Sequence, residues 1–243
     1  MQYKASFFMT LVGNFFIAFC SFAAVFFLLS RFNTVKGFSK SEIFLCYAVV
    51  TISFFFSECF FRSFESFSGL ITGGRFDRIL LFPKNEAFMV LCNDIEIFRL
   101  ARLFQAILVL ILALLSCNVQ WDIIKILTFI GMLLSGIVLY CSFFVLEGAI
   151  CFFTISRPEA LNIFTYGTRE FGVYPFGIYG KEVLRIFTYV FPLALIQYYP
   201  LLYVIGKSDN VLYCLLPLVA CIFVIPNAVL WKTGVRHYKS TGS

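Results

Sequence analysis

Residues 126–150 read ILTFIGMLLSGIVLYCSFFVLEGAI, and Glu147 is the only charged side chain in this run. The hydrocarbon core of a bilayer is about 30 Å thick, and a helix needs about 20 apolar residues to cross it. A run of this length and composition is therefore typical of a transmembrane helix. Because the apolar run continues to residue 156, about 46 Å as a helix, we expect it to tilt, kink or emerge from the membrane.

Five further stretches meet the same criterion of length and composition. The six expected spans are residues 6–30, 43–61, 100–117, 126–150, 186–205 and 211–230. The first span follows Lys4 and is longer than the apolar core of a cleaved signal peptide, so we expect it to remain as an anchor. The last two spans contain four prolines, and a proline removes a helical hydrogen bond that lipid cannot replace. We therefore expect broken helices in the C-terminal third.

The composition of the whole chain also favours a membrane protein. The chain is 61% hydrophobic and 13% charged, whereas soluble domains are about 45–50% apolar and about 25% charged. These values exclude a soluble enzyme, a secreted disulfide scaffold and a disordered tail. The nine cysteines form no C-x-x-C pair and there is a single histidine, so no metal site is predicted. The net charge of +6 is better explained by anionic membrane lipid than by nucleic acid.

The distribution of lysine and arginine predicts the orientation. With the N-terminus in the cytoplasm, fourteen of the 19 basic residues fall in inner segments, as the positive-inside rule requires. The inner loop after the fourth span contributes Arg157, Arg169, Lys181 and Arg185 to that number. The sequence therefore predicts six helices with both termini in the cytoplasm.

Residues 62–99 form the longest inner loop, and part of this loop has an amphipathic pattern. Apolar residues recur at helical spacing over 64–71. Gly73-Gly74 then separates this piece from a second apolar and charged piece that ends at Pro83. A short amphipathic element either lies in the lipid head groups or docks into a groove on a partner. The pattern alone leaves both interpretations open.

Residues 74–83, GRFDRILLFP, resemble the G-x-F-D-R-x-L-x-R-P signature of a family of bacterial ABC transporter permeases, the ABC-2-type subunits with six spans. Other parts of the chain are similar to this family in residue type and spacing. These are Gln2–Phe7, Ser30–Phe32, Ser41–Ile43, Ser57–Phe64, Arg99–Gln105, Tyr174-Pro175, Phe191-Pro192 and Tyr198–Pro200. Phe82 stands where the family usually has arginine, so charge pairing is not expected there.

The resemblance implies one permease domain over residues 1–243 and no enzymatic activity in this chain. The sequence agrees, because it contains no G-x-x-x-x-G-K-[ST] loop to hold nucleotide phosphates. A separate ABC ATP-binding subunit would bind ATP and Mg, and a second permease chain, identical or different, would complete the pathway in the bacterial cell membrane. The inner loop would carry the contact with the ATPase. The residues expected to couple to it are Phe64, Phe67, Gly74, Arg75, Phe76, Asp77, Arg78 and Pro83.

Polar residues within the spans are candidates for the transport pathway, because an ionisable group at the centre of a bilayer costs about 2.5–3.5 kcal/mol. These candidates are Asn14, Glu58, Glu147, Gln197, Tyr198 and Tyr199. For Glu58 and Glu147, contact with head groups or with loop arginines is an alternative. Hydrogen bonding between helices is an alternative for Gln197, Tyr198, Tyr199 and Asn14.

The sequence therefore predicts an all-α integral membrane protein, and the resemblance implies that it acts as an export permease, with a pathway near its first, second and fifth helices. A secondary transporter or channel that needs no motor is the alternative. Such a protein should contain charges within the membrane or an inverted repeat. An intramembrane enzyme should contain catalytic groups at membrane depth. Neither pattern is evident, and the sequence does not identify the cargo.

Overall fold

The computed structural model describes residues 4–32, 34–154 and 159–240. Gln2, Tyr3 and Arg157 of the sequence analysis lie outside these residues. The α-helices are α1 (Lys4–Ser30), α2 (Lys40–Glu65), α3 (Phe67–Thr72), α4 (Arg75–Leu80), α5 (Glu86–Leu91), α6 (Leu100–Ser116), α7 (Ile123–Thr154), α8 (Tyr166–Gly172), α9 (Lys181–Tyr189), α10 (Leu193–Val204), α11 (Leu216–Ala220) and α12 (Val224–His237). A two-stranded antiparallel hairpin joins β1 (Thr34–Val35) to β2 (Phe38–Ser39). Short 3-10 turns are Ile97–Arg99, Glu159–Ile163, Phe176–Ile178, Val211–Leu215 and Cys221–Phe223.

Among the described residues, five helical stretches are long and apolar enough to cross a bilayer, and the bent pair α9–α10 meets the same criterion only when its two helices are taken together. The five are Ala5–Ser30, Lys40–Thr72, Ile97–Ser116, Ile123–Thr154 and Val211–His237. This confirms the all-α membrane fold predicted from the sequence. At 32 residues, or about 48 Å, α7 is longer than the bilayer core is thick, so it extends beyond that core.

The helix bundle has two ends, which are named here after Lys36 and Arg75. At the Lys36 end, the β-hairpin and the start of α2 meet the loop after α10, where Lys207 Nζ donates a hydrogen bond to the carbonyl of Gly37 at 2.7 Å. Ser41 there donates to the carbonyl of Ser116 at 3.1 Å, so the end of α6 lies at this end too.

The Arg75 end contains α3, α4 and the last turns of α7 and α12. Aromatic contacts hold these elements together: the Phe67 ring lies 4.9 Å from Phe152 and 5.2 Å from Trp231, measured between centroids. The start of α1 lies beside the start of α6. Both ends of the described chain are therefore at the Arg75 end of the bundle.

The centre of the bundle is the pair α2 and α7, which cross at small side chains. A Cβ atom on Gly136 would collide with the side chain of Ser53, so glycine is what permits this close approach. Ser57 then donates a hydrogen bond to the carbonyl of Ile137 at 3.1 Å. Such hydrogen bonds between helices suit a membrane interior, where water is absent to satisfy polar groups.

The predicted fifth span, residues 186–205, is broken, as its prolines led us to expect. The chain bends by 115° between α9 and α10, and buried Pro192 stands immediately before α10. Proline cannot donate the backbone hydrogen bond that a continuous helix needs there. The pair forms a V whose apex lies in the bundle interior, where Phe191 packs on Phe164 with ring centroids 4.9 Å apart.

The fifth pass between the two ends is instead made by residues 159–180, which run beside α2. At the Arg75 end, Tyr166 accepts a hydrogen bond from Arg62 at 2.7 Å. At the Lys36 end, the carbonyl of Ile178 accepts one from Lys36 at 2.8 Å. These contacts lie at opposite ends of the bundle, so the segment between them crosses it.

The sequence placed Arg169, Lys181 and Arg185 on the same side of the membrane as residues 62–99. The pass made by residues 159–180 shows that this assignment is wrong. Lys181 follows Ile178 by three residues, so Lys181 and Arg185, one helical turn later, lie on the Lys36 side. Arg169 lies between the two ends. The hydropathy criterion missed the crossing because it selects uninterrupted apolar helices, and this segment is broken into short helical pieces.

Candidate functional site

The α3–α4 segment (Phe67–Leu80) follows directly from the end of α2. Between its two helices, Gly74 has φ +64°, a left-handed conformation that glycine adopts without the steric cost of a side chain. The turn folds α4 back so that Phe76 reaches Phe67, with ring centroids 5.0 Å apart. Gly74, which the resemblance assigns to the ATPase contact, thus provides the backbone conformation of this turn.

The apolar face of the α3–α4 segment is buried in this chain. Phe64, Phe67 and Phe76 are at most 1% exposed, and they pack on aromatic rings of α7, α12 and the C-terminal tail. The expectation that this apolar stripe itself lies in head groups or in a partner's groove is wrong, because its own chain covers it. These three phenylalanines position the segment.

The outward face of the α3–α4 segment is basic and apolar. Arg75 and Arg78 are exposed, and Leu81 and Phe82 just beyond α4 are 84% and 49% exposed. With neighbouring residues, Arg75, Arg78 and Phe82 line a cleft of about 280 Å³. Pro83 is exposed as well. The exposed arginine and apolar side chains of this face are therefore available to contact another molecule at the Arg75 end.

Asp77 has a different role from its arginine neighbours. Its carboxylate accepts a hydrogen bond from the hydroxyl of Ser240 at 2.6 Å. Two residues earlier, the ring of Tyr238 packs edge-on against Phe76 at 5.0 Å. The C-terminal tail is thus attached to α4.

A buried network of charges lies where α2, α6 and α8 meet. Its centre is Glu58, which is fully buried and pairs with Arg99, with Arg102 at 3.4 Å and with Arg62 at 3.7 Å. Removing charges from water costs several kcal/mol per ion, which close pairing offsets. Glu58 therefore pairs with arginines, which was the alternative to a role in the pathway.

Two further glutamates and a tyrosine complete the network. Arg62 pairs with Glu65 at 2.9 Å and with Glu96 at 3.4 Å, so three arginines meet three glutamates. The hydroxyl of Tyr166 lies 3.1 Å from a Glu65 oxygen and 3.3 Å from a Glu58 oxygen. The phenol is the hydrogen-bond donor to these two carboxylates.

A polar cleft lies between α1, α2 and α8, at membrane depth. Its volume is about 310 Å³, and it is lined by Ser21, Ala24, Val25, Tyr47, Thr51, Phe55, Arg169, Glu170, Val173 and Tyr174. On α2, the lining runs from Tyr47 to Phe55, about 10 to 22 Å along the helix from Lys40. The cleft is thus within the part of α2 that spans the bilayer.

Two charged side chains face this cleft. The Arg169 guanidinium lies 4.9 Å from the ring centroid of Phe54 and 5.8 Å from that of Phe55, positions that favour cation–π attraction. It also forms an ion pair with Glu170, whose side chain is 63% exposed. An ion pair at membrane depth is costly and is a functional candidate by default.

None of the sequence-predicted pathway residues is among the residues that line this cleft. Asn14 donates to the carbonyl of Thr10 at 2.9 Å within α1. Glu147 is buried near the Arg75 end and accepts a hydrogen bond from Thr165 at 2.8 Å. Asn14 and Glu147 therefore have their hydrogen-bond partners outside the cleft.

The remaining candidates support the V formed by α9 and α10. The amide of Gln197 donates to the carbonyl of Gly172 and contacts Cys46, which ties α10 to α8 and α2. The rings of Tyr198 and Tyr199 meet edge to face, with centroids 5.3 Å apart. The structure thus shows the interhelical hydrogen bonding that was the alternative for Gln197.

The sequence analysis assigned no pathway role to the polar residues of the cleft, which are Ser21, Tyr47, Thr51, Arg169, Glu170 and Tyr174. A signal was present: Arg169 and Glu170 are the only charged residues from 160 to 180. An isolated Arg-Glu pair in an otherwise uncharged, aromatic stretch is a sign of a charged site in apolar surroundings. The hydropathy criterion placed this stretch in a loop, where charges need no explanation.

Comparison with known protein families gives one match that covers most of the chain. A family model described as an ABC-2 family transporter protein matches residues 15–242. Neither the curated proteins nor the solved structures provide a match. The matched range includes the α3–α4 segment, the buried charge network and the polar cleft.

Proposed function

The chain belongs to the ABC-2 transporter family, and from this premise we propose that it is the permease subunit of an ATP-driven exporter. It is a multi-pass membrane protein and the non-catalytic membrane component of a transport system. The proposal adds the direction of transport, the partners and the source of energy. We place the protein in the bacterial cell membrane with both termini and the Arg75 end in the cytoplasm.

The proposed partner at the Arg75 end is an ABC ATP-binding subunit, which binds ATP and Mg. The outward face of the α3–α4 segment supports this contact, because Arg78 and Leu81 are exposed while Phe76 anchors the segment from behind. A rigidly anchored element transmits a push from a partner, whereas a solvated loop would absorb it.

The proposed partner within the membrane is a second permease chain, identical or different. Helix α1 supports this proposal, because most of its described side chains are exposed in this chain. Its exposed side chains include Phe16 and Phe27, at 58% and 68%. A helix with so many exposed apolar side chains contacts either lipid or a neighbouring chain. The polar cleft lies along the side of α1 that faces the bundle.

One observation carries the proposed mechanism: α8 contacts both the charge network and the cleft. Tyr166 at the start of α8 bonds to Glu58, and Arg169 one helical turn later faces the cleft. Movement of the Arg75 end therefore reaches the cleft through one short helix. ATP binding drives transport if the ATP-bound motor binds one conformation of this chain more tightly than another.

The proposal is tested by copurification and ATP-dependent export with variants of the outward face. Leu81→Asp and Arg78→Glu should leave the chain folded, because both side chains are exposed, and should abolish ATPase binding and export. Leu115→Asp, at the Lys36 end where Leu115 is 79% exposed, is the matched control for ATPase binding. Normal ATPase binding by both outward-face variants would refute the proposed contact.

A secondary transporter is the alternative function, and Arg169–Glu170 is the observation that favours it. Charges within the membrane are typical of transporters that couple to ions. The two functions differ in their energy source. Transport by the purified chain in vesicles without any ATP-binding subunit would support the alternative, and strict dependence on ATP would support the exporter.

A further inference from the structure

We propose that the polar cleft between α1, α2 and α8 binds the head group of a zwitterionic amphiphile. In this proposal, Arg169 binds the anionic group, Glu170 binds the cationic group, and the apolar tail remains in the membrane. The inference names the substrate class for the proposed permease and so rests on that function.

Arg169 is held in place before any ligand arrives. The rings of Phe54 and Phe55 flank its guanidinium, which fixes the side chain at little further entropic cost on binding. A guanidinium has five N–H donors in a fork that matches carboxylate and phosphate. Within the described part of the chain, Glu170 is its one ion-pair partner, so donors remain for an anionic group.

Glu170 makes a ligand without net charge the best match. Because Arg169 and Glu170 together are neutral, a purely anionic or cationic ligand would leave a net charge in a poorly screened, low-dielectric region. A zwitterion places one opposite charge beside each side chain and keeps the sum at zero. The carboxylate of Glu170, with its side chain 63% exposed, is accessible to a cationic group.

The size and walls of the cleft indicate a head group with an apolar tail. Its volume of about 310 Å³ is at the lower limit for small-molecule sites, about 300–1,000 Å³. Val25, Phe55 and Val173 provide apolar surface beside the charges. On the α1 side, the cleft is lined by the small side chains of Ser21 and Ala24, which are both exposed. This leaves an opening toward lipid through which a tail extends.

The test measures binding of three fluorescent probes to the full-length chain in maltoside, a detergent whose head group is uncharged. The probes share one alkyl tail and carry phosphoethanolamine, phosphate or a quaternary ammonium group. We expect the zwitterionic probe to bind at least about tenfold more tightly than the other two, because only it satisfies both charges. Free phosphoethanolamine, without a tail, should compete poorly.

Three variants locate the binding site, and a fourth is the matched control. Arg169→Gln and Glu170→Gln should each weaken zwitterion binding about tenfold. Ala24→Trp should also weaken it, since it fills the cleft without changing a charge. Glu182→Gln should have no effect, because Glu182 forms a comparable but exposed pair with Arg185 at 3.1 Å, outside the cleft.

Several results would overturn the proposal. These are equal binding of the three probes, tighter binding of the anionic or cationic probe, or binding of free phosphoethanolamine as tight as that of the zwitterionic probe. Unchanged binding by the folded Ala24→Trp variant would also overturn it. The experiment needs no ATPase and no export, so its outcome is separate from failure of the proposed motor-driven function.

Discussion

The hydroxyl of Tyr166 lies 3.3 Å from a carboxylate oxygen of Glu58, although 108 residues separate them in sequence. This contact joins α8, which lines the polar cleft, to the end of α2, which continues into the α3–α4 segment. Glu58 is fully buried, and packed protein interiors transmit strain. The contact therefore links the helix that lines the cleft directly to the Arg75 end.

Replacing Glu58 by alanine should strongly destabilise the protein. The change removes the carboxylate shared by Arg62, Arg99 and Arg102, and an uncompensated buried charge costs about 3–5 kcal/mol. Thermal unfolding in detergent should show a large decrease in Tm. Glu182→Ala, which breaks an exposed ion pair, should change Tm little. Equal Tm values for the two variants would contradict the structural role assigned to the network.

Two glycines of α7 should respond oppositely to alanine. A Cβ on Gly136 would meet the Ser53 side chain, whereas a Cβ on Gly131 would have nothing within 4 Å. Gly136→Ala should therefore separate α2 from α7 and lower Tm. Gly131→Ala should raise Tm slightly, because alanine favours a helix by about 1 kcal/mol over glycine. The same sign of change for both variants would show that α2 and α7 do not cross at Gly136.

The C-terminal tail should protect α4 from proteolysis. Tyr238 packs on Phe76 and Phe152, with ring centroids 5.0 and 6.0 Å away. Tyr238→Ala should loosen α4 and speed tryptic cleavage after Arg75 or Arg78. Mass spectrometry of the fragments measures the rate of this cleavage. Tyr189→Ala, at a side chain that is 81% exposed, is the control and should leave the rate unchanged. Cleavage of Tyr238→Ala at the wild-type rate would show that the tail does not hold α4.

Residues 84 and 181 should be accessible from opposite sides of the membrane. Lys84 belongs to the Arg75 end, whereas Lys181 follows the contact between Ile178 and Lys36 at the other end. A protease site inserted beside Lys181 should be cut in intact cells, and one beside Lys84 only after the membrane is opened. Cleavage of both sites from the same side would contradict the pass assigned to residues 159–180.

Much of the fold could be predicted from the sequence, because long apolar runs have few alternatives in a membrane. The spans of α1, α2, α6 and α7 and the C-terminal helical stretch follow from length and hydropathy alone. The turn at Gly74 also follows from its sequence. These features depend on residues close together in the chain, so a local pattern is sufficient to specify them.

The fifth pass and the polar cleft could not be predicted in the same way. The pass by residues 159–180 is specified by contacts with distant residues, such as Ile178 with Lys36, and not by its own hydropathy. The burial of Phe76 likewise depends on α7 and on the tail, far away in sequence. Tyr47 and Arg169 form a site only because α8 lies beside α2.

Photo-crosslinking would show whether the outward face of the α3–α4 segment contacts an ATP-binding subunit. A photoreactive amino acid replaces Leu81, which is 84% exposed beside α4, or Leu115, which is 79% exposed at the opposite end. We expect an ATP-sensitive crosslink from position 81 to the ATP-binding subunit and none from position 115. Absence of that crosslink from position 81 in a transporting complex, or an equal yield from position 115, would contradict the proposed contact.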